Sequence, residues 1–121
     1  MRWKSYKRDL ETNLADLHTR LPATKILLLG VLPSERSAWI TETTGQINRM
    51  LAERYKSDRL VSFLDLTALF MRNGVLNRGL FLDPALKPPD PPLHPSAQGQ
   101  AMMAKAMEPV LANLLGDRPH G

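Results

Sequence analysis

The chain contains no cysteine, which excludes disulfides, thiolate metal sites and a cysteine nucleophile together. No apolar run approaches the roughly 18 residues that a membrane-spanning helix needs. The N-terminus, MRWKSYKRDL, lacks the apolar stretch of a secretory signal, so the chain as written reads as cytoplasmic while the compartment of a longer parent stays open. Aromatic residues are scarce at 6%, and no basic stripe is interleaved with stacking rings, which argues against a nucleic-acid surface. Gly30-Val-Leu-Pro33 lacks the glycines and lysine of a phosphate loop. No second histidine stands at ligand spacing from His94, so neither a metal nor a cofactor is expected.

What is present suits one small domain over residues 1–121, with 43% hydrophobic residues in 121. The net charge of +4 is local rather than general. Arg2, Lys4, Lys7 and Arg8 carry four positive charges without an intervening acid, and the other 12 of the 16 basic residues balance the 12 acidic ones. The excess belongs to the first helical turns and is read as a solvated face.

Apolar residues at Trp3, Tyr6, Leu10, Leu14, Leu17 and Leu21 recur at steps of three and four, which predicts an amphipathic helix stopped by Pro22. Lys25-Ile-Leu-Leu-Leu-Gly30 is a short continuous apolar run, the pattern of a strand buried in a parallel sheet. A second helix is expected from Ser37 or Ala38 to about Tyr55, burying Trp39 or Ile40, Thr43, Ile47, Met50 and Leu51. Leu60 to Asp65 reads as another strand, and Leu66 to Met71 as a helical turn ended by Asn73-Gly74. Residues 81–95 hold six of the ten prolines and are expected to be a stiff loop. A last helix begins near Ser96, its N-cap. It is expected to turn Ala101, Met102, Met107, Val110, Leu111 and Leu114 inward and to close at Gly116 before a frayed tail, 116–121. Met102, Met103 and Met107 are read as core packing. His18, on a charged face, and His120, in the tail, are read as solvated.

This alternation is that of a parallel α/β sheet with flanking helices, of which two strands make only a part. In such sheets ligands bind beyond the carboxyl ends of the strands. The loop before the last helix carries Asp83, Asp90 and His94 there. A histidine with a nearby upstream carboxylate is a candidate general base with its orienting acid. Ser34 and Arg36, at the end of the first strand, are candidate substrate-binding residues.

The segment Asp90-Pro91-Pro92-Leu93-His94-Pro95-Ser96-Ala97-Gln98-Gly99 resembles the last block of the SGNH, or GDSL, hydrolases, in which an Asp-x-x-His arrangement precedes the final helix. The preceding order, an amphipathic helix, Ile26 to Pro33, a second helix and Val61 to Asp65, resembles the C-terminal half of such a domain over residues 3–115. The resemblance implies a partial flavodoxin-like, three-layer α/β fold with its N-terminal strands missing from this chain. It implies the chemistry of a serine esterase or acylhydrolase, acting on an acyl or acetyl ester of a carbohydrate or lipid. His94 would be the base and Asp90 the acid that orients it. Asp90 lies four residues before His94, and proline fills position 91 where the family's aspartate falls, so Asp83 stands as the spare acid.

The family's Gly-Asp-Ser block and its Gly-x-Asn-Asp block have no counterpart. Ser5, Ser34, Ser37, Ser57, Ser62 and Ser96 are the serines, and none stands in Gly-Asp-Ser or Gly-x-Ser-x-Gly context. Lacking a nucleophile and oxyanion donors, the chain alone is expected to be inactive. The alternative is a non-catalytic interaction module that forms a homodimer, or docks an N-terminal half-domain, through the open strand edge at Lys25–Leu29.

Overall fold

A computed structural model describes residues 3–34, 37–82 and 94–116, the Trp3 side chain excepted. The architecture is mixed α/β. Helix α1 (Trp3–Arg20) leads into strand β1 (Ile26–Leu29), helix α2 (Ala38–Tyr55) and strand β2 (Val61–Leu64). A short helix α3 (Thr67–Phe70), a hairpin of β3 (Met71–Arg72) and β4 (Val75–Leu76), a 3-10 turn (Arg78–Leu80) and helix α4 (Ala97–Leu115) complete the described chain. β1 and β2 pair in parallel, Ile26 opposite Val61 and Leu29 opposite Leu64. The continuous apolar run of β1 is explained by what covers it. Ile26 and Leu28, with Val61 and Phe63, pack on Leu14 of α1 and on Ile47 and Leu51 of α2. Leu29 and Leu64 turn the other way, onto Phe70, Leu80, Phe81 and the Met102–Met103 stretch of α4. Alternate residues of each strand thus feed two cores on opposite faces, with helices above and below.

The direction of α4 follows from its two ends. At its start, Ser96 donates its backbone N–H to Leu80 O at 2.6 Å, beyond the carboxyl end of β2. At its finish, Lys25 Nζ donates to Leu114 O at 2.8 Å, at the entry to β1. α4 therefore runs antiparallel to the strands. The lysine also sets a cation against the unsatisfied carbonyls that end the helix. Pro109 sits inside α4, where it removes one rung of the hydrogen-bond ladder. Gly116 ends the helix with φ 75°, its N–H bonding the carbonyls of Ala112 and Asn113.

Several expected placements are corrected. Leu17 and Leu21 lie on the predicted apolar stripe of α1 but are exposed, at 45% and 52%. The stripe runs along an 18-residue helix and outruns strands of four residues. Trp39 is 57% exposed and Ile40 half-buried, so α2 is buried from Thr43 onward. On α4, Ala101 and Leu111 are exposed, and Met102, Met103 and Ala106 make the contacts. His18 is half-buried rather than solvated, and its Nε2 is buried without a hydrogen-bond partner among the described residues. Asn73-Gly74 does not merely end a helical turn. With φ of 51° and 76°, the pair makes the tight turn of the β3–β4 hairpin.

The entry to β2 is held by Asp58, whose carboxylate accepts the backbone N–H groups of Leu60 at 2.8 Å and Val61 at 2.9 Å. These bonds hold its carboxyl below the usual 3.8. A depressed folded-state pKa contributes stability above the unfolded value, and that stability is lost as the pH falls through the folded one. The Asp58→Asn variant is expected to lose about 1 kcal/mol or less at pH 7, because the group is exposed and screened. Its urea-derived unfolding free energy should fall less steeply than that of the parent between about pH 4 and pH 2. Equal slopes would show that the bonds carry no charge-dependent stability.

Candidate active site

The segment bearing His94 is fixed by its neighbours on both sides of the cap. Ser96 is buried, at 8% exposure, and works as the N-cap its position predicts. Its Oγ accepts the Gly99 N–H at 3.2 Å and donates to Gly79 O at 3.3 Å. Gln100 Nε2 donates to Pro95 O at 3.2 Å, closing the same turn. Gly99 is buried against Leu80 and the Phe70 ring, and a Cβ there would overlap the Leu80 carbonyl oxygen. The first turn of α4 is thereby pressed onto the 3-10 turn. Below it, Phe70 and Phe81 stack at 4.9 Å between centroids, tilted by 48°. His94, two residues before the cap, is exposed at the carboxyl end of the parallel strands. No described residue is a hydrogen-bond or ion-pair partner of its imidazole.

The second element of the site is the loop after β1. Asn48 of α2, 2% exposed, reaches across it like a strand neighbour. Its Oδ1 accepts the Val31 N–H at 2.8 Å, and its Nδ2 donates to Val31 O at 2.9 Å. Nδ2 also lies 3.4 Å from Thr67 Oγ1. Gly30 admits this side chain, because a Cβ there would meet Asn48 Oδ1 at 2.8 Å. The anchored loop continues to Pro33, which is buried, and Ser34, which is half-buried. Ser34 O accepts from Thr41 Oγ1 at 3.0 Å.

Between this loop, the start of α2 and the hairpin lies an open cleft of about 300 Å³, lined by Pro33, Ser34, Ser37, Thr41, Met71 and Val75 among others. Ser34 thus does face a cavity. His94 is not one of the residues that line this cleft. Asp90, Asp83 and Arg36 lie outside the described residues. No group of three metal-ligating side chains occurs among the described residues, and none of the described helices is long and apolar enough to cross a membrane.

Sequence reasoning missed Asn48. A single asparagine within an amphipathic helix reads as surface, and only its 17-residue reach to Val31 shows otherwise. Compared with protein-family models, with curated proteins and with solved structures, the chain matches none.

Proposed function

We propose that the chain is the C-terminal portion of an SGNH-type serine ester hydrolase. His94 is the general base and Asp90 the acid that orients it, with Asp83 as the substitute. The substrate is an acyl or acetyl ester of a carbohydrate or lipid. Ser34 and Arg36 contribute to substrate binding beside the strand end. One observation supports this reading above the rest: α4 runs antiparallel to β1 and β2, so His94 is carried, exposed, to the carboxyl end of the sheet. That is where open α/β sheets take their ligands. The imidazole needs a nucleophilic hydroxyl whose proton it can accept and a set of donors for the resulting oxyanion. Neither is supplied by a recognisable motif in these 121 residues, and the chain by itself is read as inactive.

Hydrolysis of p-nitrophenyl acetate tests the reading. The purified chain and its His94→Ala variant should release p-nitrophenol at the same background rate. The DNA immediately upstream should encode, in frame, a Gly-Asp-Ser segment. Restoring that segment should create turnover, which His94→Ala then lowers by about 10²- to 10⁴-fold, the usual contribution of a positioned base. An unrelated gene upstream would overturn the fragment reading. Turnover by the chain alone that vanishes in His94→Ala would overturn the inactivity and direct attention to Ser34 and Ser37.

A second reading, a non-catalytic interaction module, is favoured by a different observation: the outer edge of β1 has no strand beside it among the described residues.

A further inference from the structure

Asparagine stands at positions 13, 48, 73, 77 and 113, and Asn73 is the one that glycine follows. The side-chain carbonyl of an asparagine can be attacked by the main-chain nitrogen of the next residue, closing a five-membered ring. The attack needs that nitrogen free of an acceptor and uncrowded by a Cβ. The structure sorts the five on both counts. Asn13, Asn48 and Asn113 lie within α1, α2 and α4, where the following N–H is committed to the helix ladder. Asn77 is held on both sides, its N–H donating to Phe70 O at 2.8 Å and its C=O accepting the Leu80 N–H at 3.1 Å. Arg78 rather than glycine follows it.

Asn73 and Gly74 are exposed at the tip of the β3–β4 hairpin. No described residue bonds the Asn73 amide or accepts the Gly74 N–H. Nothing lies within 4 Å of the place a Gly74 Cβ would take. The turn itself is the restraint. With φ 51°, Asn73 is left-handed, and in that conformation the Gly74 nitrogen and the Asn73 side chain stand on opposite sides of the Cα–C bond. Ring closure therefore waits on opening of the turn. The hairpin that must open is slight, with two residues in each strand and its outer pair, Arg72 and Val75, exposed.

We infer that Asn73–Gly74 is a self-modification site, at which the chain and water convert an asparagine into isoaspartate or aspartate and reshape one wall of the cleft beside Ser34. The Gly74 nitrogen gives its proton to hydroxide and attacks Asn73 Cγ. The new N–C bond forms as the C–N bond of the side-chain amide breaks, and ammonia leaves with a proton taken from water. Water then opens the succinimide ring. Opening at the side-chain carbonyl leaves aspartate, and opening at the main-chain carbonyl leaves isoaspartate. Each product adds a negative charge to the turn. Isoaspartate also inserts a methylene into the main chain, which a two-residue turn of fixed dihedrals does not accommodate. Met71, Gly74, Val75 and Leu76 line the cleft together with Ser34, so the change is felt there. The inference makes no use of His94 or of ester hydrolysis and stands or falls separately from the catalytic proposal.

The intact mass of the purified chain, followed in mildly alkaline buffer, should rise by the difference between an amide and an acid. Peptide mapping should place the gain at Asn73 alone, and isoaspartyl methyltransferase should label the product. The rate should increase in proportion to hydroxide. It should be about tenfold or more higher in the same chain unfolded in guanidinium chloride, a ratio that equals about 1.4 kcal/mol or more of hairpin closure. The Asn73→Gln variant, which would have to close a larger ring, should show no gain. In the converted chain the Asn77 amide, bonded to Phe70 O at the base of the hairpin, should exchange faster than before. A folded chain whose mass stays constant while the unfolded chain converts would overturn the inference, because the hairpin would then seal the turn. So would gains at Asn13, Asn77 or Asn113 as fast as at Asn73. Unchanged exchange at Asn77 after conversion would overturn the effect on the cleft wall.

Discussion

The Asn48→Leu variant is expected to lose about 2–4 kcal/mol of unfolding free energy. Leucine has the branched shape of asparagine, but its methyl groups cannot approach Val31 as closely as the amide's 2.8–2.9 Å bonds allow, so crowding adds to the loss rather than replacing it. What is lost is a pair of bonds to one residue, Val31 N–H and Val31 O. Each backbone group left without a partner costs about 1–3 kcal/mol when it cannot reach water, and less where it can. Val31 is half-buried, so the lower half of that range applies to each. The loop that carries Pro33 and Ser34 is tied to α2 by these bonds. Urea denaturation should report the loss, and amide exchange at Val31 should rise in native conditions before global unfolding. An unchanged midpoint would mean that water replaces asparagine without cost.

Replacing Gly99 by alanine should lower stability by about 1–3 kcal/mol, the usual cost of overfilling a tight contact. The sign carries the information. Within a helix, glycine to alanine ordinarily gains about 1 kcal/mol. At Gly99 the new Cβ meets the Leu80 carbonyl, which is backbone and cannot swing aside. Gly45 of α2 is the matched control, since a Cβ there meets only the flexible end of Arg49, at 3.3 Å. Gly45→Ala should therefore stabilise by about 0.5–1 kcal/mol. Thermal melts of the two variants shifting in opposite directions would establish that α4 starts in direct backbone contact with the 3-10 turn. A gain at Gly99 would show that this contact is loose, and the position of His94 with it.

Much of this architecture was legible in the sequence because it depends on periods and punctuation. The three-and-four spacing marked α1, the apolar run marked β1, and Ser96 stood where an N-cap must stand. The parallel pairing of Lys25–Gly30 with Leu60–Asp65 followed from strands separated by a helix. What could not be read depends on how far a neighbour extends. Helical periodicity shows on which side Leu17, Leu21 and Leu111 lie. It does not show that strands of four residues stop short of them. The β3–β4 hairpin went unread because each strand is two residues long, too short to display alternation, although Asn73-Gly74 is the strongest local hairpin signal. Of the candidate site, the end of the sheet to which His94 is carried was foreseeable from chain order. The cleft beside Ser34 was not, because its walls depend on where the hairpin meets the loop after β1.

Pro109 divides α4 into two mechanical parts. The turns before it carry Met102, Met103 and Ala106 into the core beneath Phe70 and begin at the cap that follows His94. The turns after it carry Leu111 and Leu115 in water, and are held by buried Ala112 and by the Lys25 bond to Leu114. Without the Pro109 N–H the hydrogen-bond ladder is interrupted between these parts, so unwinding that begins at Gly116 meets a natural stopping point. The distal turns can open and close as a local unit of low stability while the proximal turns remain folded. Exchange of the last amides of α4 is thereby uncoupled from the end of the helix at which His94 is displayed.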